Sequence, residues 1–176
     1  MCNNYIYFSL KRIKFSFFKK TILNTIFIFD EDDDVLDNTV FFEFNDDTSI
    51  GIYINGANPI ITNNRINEFD DFSLYSSYDE LIEKKCSDVS ELYIDRINVI
   101  FHSEYNELLG FYLFDTKANI YCYIIFLQDQ LVFKQNKISE DLINPIQENL
   151  IQYHNSNFLI YEISLDNLDW KKINFL

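Results

Sequence analysis

Three runs, residues 92–101, 108–114 and 119–127, are apolar at odd and even positions alike. A strand turns successive side chains to opposite faces, so Leu109, Phe111 and Leu113 fall on one side of the middle run and Leu108, Tyr112 and Phe114 on the other. A sheet built from such strands cannot leave a face to water. The runs are therefore predicted to be central strands covered on both sides, or covered on one side with a second chain on the other.

Elsewhere the periodicity is simpler. Val40, Phe42 and Phe44 alternate with Phe41, Glu43 and Asn45, and Asn45-Asp46-Asp47 supplies turn chemistry. Ile50, Ile52 and Ile54 then resume the period of two, which gives a β-hairpin. Residues 25–29, 59–62, 131–134 and 158–164 read as further short strands, and residues 5–18, with Tyr5, Tyr7, Phe15 and Phe17, as one or two more. Two short helices are expected. One covers residues 78–86, with acids in its first turn and Lys84-Lys85 in its last; the other starts at Asn144-Pro145-Ile146-Gln147, where Asn is a cap and Pro the first helical residue. Residues 55–77 form a long connection rich in turn formers, and residues 30–34 an acidic loop. The fold class is α+β, mainly antiparallel sheet with two short helices, in a single domain over residues 1–176.

Composition excludes several classes. The 18 Phe, 12 Tyr and 25 Ile bring more apolar area than a disordered chain carries. No uncharged run approaches the ~20 residues needed to cross a bilayer, and no signal-type cleavage site follows the N-terminal cations, so a cytoplasmic protein with no membrane partner is expected. Cys2, Cys86 and Cys122 have unrelated spacings and read as reduced, buried thiols. Residues 1–20 hold +5, residues 21–107 hold −16 and residues 108–176 hold −3, for a net charge of −14. A field of that sign repels phosphate backbones and draws in basic partners, so direct nucleic-acid binding is not expected. The five cations among residues 11–20 are expected to pair with the acidic middle or to line the solvent edge of a strand.

Catalytic signatures are missing. Asp30, Asp32 and Asp34 alternate as in a calcium loop, but Val35 and Phe41 stand where the sixth-position Gly and twelfth-position Glu belong. His102 and His154 sit in no recognisable motif, and Gly51, Gly56 and Gly110 stand apart, so no phosphate-cradling loop forms. The expectation is a non-enzyme without cofactor or metal. An oligomerising structural protein and a metal-dependent hydrolase built on Asp30, Asp32 and Asp34 are the alternatives.

The hairpin TVFFEFNDDTSIGIYIN at residues 39–55, the strand pair at 107–127 and the closing helix and strand from Asn144 resemble the layout of small acidic immunity proteins of bacterial polymorphic and contact-dependent toxin systems. The resemblance is one of layout and fixes no residue. It implies a protein that binds a cognate toxin, many of which are nucleases with basic grooves. An acidic face with interspersed aromatics suits such a groove, and the expected contact residues are Asp30, Glu31, Asp32, Asp33, Asp34 and Asp37 together with Glu68, Asp70, Asp71, Tyr75, Tyr78, Asp79 and Glu80.

Overall fold

The computed structural model describes residues 3–30, 32–55, 58–63, 82–86, 91–138 and 158–173. Among these residues there is one helix, α1 (Asn3–Phe17), and twelve strands. The expected strands at residues 5–18 are overturned. Ile6, Leu10, Ile13 and Phe17 are all buried, and their spacing of four, three and four is that of one helical stripe. The loose alternation of rings and cations masked this period. The helix ends at Phe18 and Lys19; Lys19 takes a left-handed φ of 64° and donates its N–H to the Ile94 carbonyl at 2.9 Å.

The first sheet contains β1 (Thr21–Phe29), β2 (Thr39–Phe44), β3 (Ser49–Asn55), β4 (Asn58–Thr62) and β5 (Ile82–Cys86), in the order β4-β3-β2-β1-β5. The hairpin β2–β3 has the expected turn, with Asp47 in the left-handed region at φ 59°. The helix expected at residues 78–86 is corrected over Ile82–Cys86, which pairs antiparallel with Thr25–Phe29 as an outer strand. Backbone pairing to β1 outweighs a weak local helical preference there. The expected helix at Asn144 lies outside the described residues.

Short β6 (Leu92–Tyr93) pairs with the start of β1; the chain then turns at Ile94 and Asp95 into the second sheet. That sheet has β7 (Arg96–His102), β8 (Leu108–Asp115), β9 (Ile120–Phe126), β10 (Leu131–Lys137), β11 (Phe158–Ser164) and β12 (Lys171–Ile173), in the order β10-β9-β8-β7-β11-β12. One buried cluster joins α1 to both sheets: Phe17 lies 5.8 Å from Phe42 and Phe44 of the first sheet and 5.5 Å from Phe111 of the second.

Every residue of β8 is buried, as its two apolar faces require. The faces divide differently from strict alternation. Leu108, Phe111 and Leu113 join the cluster between the sheets, while Leu109, Tyr112 and Phe114 lie on the other side. A bulge causes this, since the register with β7 slips between Ile100↔Gly110 and Phe101↔Leu108. Gly110 has φ 157°, and a Cβ there would overlap the Ile124 carbonyl oxygen, so only glycine fits.

Candidate functional site

β1 ends at Phe29, and the acidic loop that follows is built by its own carboxylates. Asp30 accepts hydrogen bonds at Oδ1 from the N–H of Asp32 (3.1 Å) and of Asp34 (2.9 Å), and its own N–H donates to the Asp34 carbonyl at 3.0 Å. Asp33 takes φ 66°, a conformation that Asp tolerates better than most side chains. Past the turn, Val35 forms a bridge with Phe29, and the N–H of Leu36 donates to the Ile28 carbonyl at 2.8 Å. Leu36 then packs on Ile26, Ile28, Phe41 and Tyr53, and the Asp37 carbonyl accepts from the N–H of Leu131 at 2.7 Å, which ties the loop to the second sheet.

The loop is thus held at its base by backbone bonds and one partly buried side chain, Leu36. Asp32, Asp33, Asp34 and Asp37 are exposed, with Val35 48% exposed among them. Of the remaining expected contacts, Glu31, Glu68, Asp70, Asp71, Tyr75, Tyr78, Asp79 and Glu80 lie outside the described residues.

Lys20, at the other end of β1, stands far from this loop, whereas Lys84 of β5 pairs opposite Phe27, three residues before Asp30. β1 is nine residues long, which at ~3.3 Å per residue separates Lys20 from Asp30 by roughly 30 Å. Lys20 instead bonds Asp46 at 3.2 Å and donates to the Thr48 hydroxyl at 2.9 Å. The Thr48 hydroxyl above all, with Lys20 and the Thr48 N–H, holds the Asp46 carboxyl below its usual range against a smaller opposing effect of desolvation. Among the described residues, the expected pairing of the basic segment with the acidic middle is met at this Lys20–Asp46 contact.

No match came from family models, curated proteins or solved structures.

The buried ionisable groups serve the backbone. Asp95 accepts from the Thr116 N–H (3.0 Å) and its hydroxyl, while Asp115 accepts from the N–H groups of Tyr93 (3.0 Å) and Ala118 (2.9 Å). These two carboxylates fasten the β8–β9 turn to the corner between the sheets, a role nothing in the local sequence marks. His102 closes β7, its Nδ1 accepting from the N–H of Glu104 at 3.2 Å while its ring stacks on Tyr105 at 4.7 Å. His154 lies outside the described residues. Burial pushes the Cys122 thiol well above its usual range, which makes it an inert apolar side chain. Among the described residues no three His, Cys, Asp or Glu side chains gather where a metal ion could be held.

A second surface emerges only once residues 5–18 form a helix. The outward face of α1 exposes Tyr7, Phe8, Lys11, Arg12 and Phe15, and Phe8 and Phe15 border an open groove of about 630 Å³ with Lys11, Arg12, Lys14 and Phe18. Reading residues 5–18 at 3.6 per turn brings these side chains together.

Proposed function

We propose that the protein is a protein-binding inhibitor, an immunity protein that neutralises a cognate basic toxin domain through its acidic loop. The observation that carries this reading is the pre-shaped loop at the end of β1, whose Asp32, Asp33, Asp34 and Asp37 point into solvent about 30 Å from the lysine at the strand's other end. A loop already fixed by Asp30 and Leu36 loses little conformational entropy on binding. Its carboxylates attract a cationic partner at long range, and Val35 offers an apolar contact at short range.

The test uses the C-terminal domain of a secreted toxin encoded beside this protein. Its association rate is expected to fall steeply between low and high salt, and the double variant Asp32→Lys/Asp34→Lys to slow association at low salt at least tenfold. An association rate indifferent to salt, or unchanged in that variant, would sink the reading.

A further inference from the structure

We infer that the outward face of α1 is a docking surface for an anionic lipid bilayer, on which the helix lies flat. This inference is independent of the inhibitor reading, because it uses the opposite end of β1 and none of the acidic loop.

The inward stripe of α1 is spent on the core, yet the outward face is far from polar. Phe15 is 73% exposed, and Tyr7 and Phe8 are each 63% exposed. A monomer seldom leaves several rings in water on one short helix unless they meet something apolar. Between Phe8 and Phe15 stand Lys11 and Arg12, one helical turn from each ring, and Lys14 flanks them.

Among the described residues none of these three cations is paired with a carboxylate. Arg12 bonds the Asn63 side-chain oxygen at 3.4 Å, and Lys14 donates to the Leu168 carbonyl. On a chain of net charge −14 these cations make a local field opposite in sign to the whole. Rings and cations mixed along one helix face are what a lipid headgroup layer binds: the rings enter the interface, and the cations meet lipid phosphates on long, flexible stems.

The net charge does not forbid this. At physiological ionic strength charges are screened over ~8 Å, whereas the acidic loop stands about 30 Å from Lys20 along β1. The expectation of no membrane partner rested on the lack of a spanning segment, and none of the described helices is long and apolar enough to cross. Lying on a surface requires no span. A single-stranded nucleic acid is the competing anion, but its platforms stack successive bases on rings set along the strand's path, whereas here the two rings stand two helical turns apart at the ends of a cation row.

The experiment is co-sedimentation of the full chain with vesicles of phosphatidylcholine alone or mixed with an equal part of phosphatidylglycerol. Binding to the mixed vesicles, little to the neutral ones and weakening in salt are expected. Each cation near an anionic surface strengthens binding about fivefold, so Lys11→Gln/Arg12→Gln should lose roughly 30-fold. Phe8→Ser/Phe15→Ser should weaken binding at unchanged charge, and the far-ultraviolet circular dichroism of both variants should match the parent, because all four side chains are exposed. No binding to the mixed vesicles, equal binding to neutral ones, undiminished binding by either variant, or tighter binding of a single-stranded oligonucleotide than of the vesicles would overturn the proposal.

Discussion

Phe15 and Phe17 separate a helical from an extended N-terminal segment with two substitutions. In a strand they would share one face, because they are two residues apart. In α1 they lie about 200° apart around the axis: Phe17 is fully buried against Phe42, Phe44 and Phe111, while Phe15 stands in solvent. Phe17→Ala removes a large ring from the junction of the helix and both sheets. The lost transfer energy and the cavity left behind cost ~3–5 kcal/mol. Three edge-on or tilted ring contacts go with it, which favours the upper half of that range. For a chain of this length, about 4 kcal/mol lowers the melting temperature by roughly 8–16 °C. Phe15→Ala should stay within ~0.5 kcal/mol of the parent, as exposed substitutions do. Urea unfolding followed by tryptophan fluorescence and circular dichroism measures both, with the midpoint falling at constant slope for Phe17→Ala. Similar losses for the two variants, or a loss under ~1 kcal/mol for Phe17→Ala, would show that the helix does not bury the stripe described.

Other expectations follow from single positions. Gly110→Ala adds a methyl group against the Ile124 carbonyl at a φ that L-residues avoid, so a loss of about 3 kcal/mol is expected in the same urea assay, and a neutral result would contradict the bulge. Tyr112 carries a buried hydroxyl without a hydrogen-bond partner among the described residues, and burial beside Tyr121 and Tyr123 pushes its ionisation far upward. Tyr112→Phe should therefore raise stability by about 1 kcal/mol, and a clear loss would reveal a partner for that hydroxyl. Asp46 has a folded-state pKa depressed below its unfolded value. Its contribution is present above about pH 4 and is lost as pH falls through the lower folded value. Because the group is exposed, Asp46→Asn should cost only a few tenths of a kcal/mol at pH 7; the gap between variant and parent should close in acid, and a gap that widens there would reverse the sign argued.

Much of the sheet was legible residue by residue. The alternation of Val40, Phe42 and Phe44, with Asn45-Asp46-Asp47 behind it, specified the β2–β3 hairpin because strand period and turn chemistry act between near neighbours. The doubly apolar run at 108–114 specified a strand buried on both faces, for apolar area must leave water whichever way it turns. The acidic loop was legible too, since Asp30 bonds the backbone only two and four residues ahead.

What the sequence left undecided was settled by contacts between distant segments. Ile82–Cys86 has acids and lysines placed for a helix, yet the open edge of β1, more than fifty residues earlier, recruits it as a strand. Residues 5–18 hold rings at both periods, and the buried stripe Ile6, Leu10, Ile13, Phe17 prevails because the two sheets present a cavity that a helix fills. Asp95 and Asp115 become buried fasteners only once the chain crosses between the sheets. Local pattern determined the hairpin, the central strands and the turns; long-range pairing and burial decided what residues 5–18 and 82–86 become and which face each residue shows, because those choices depend on partners the neighbouring sequence does not contain.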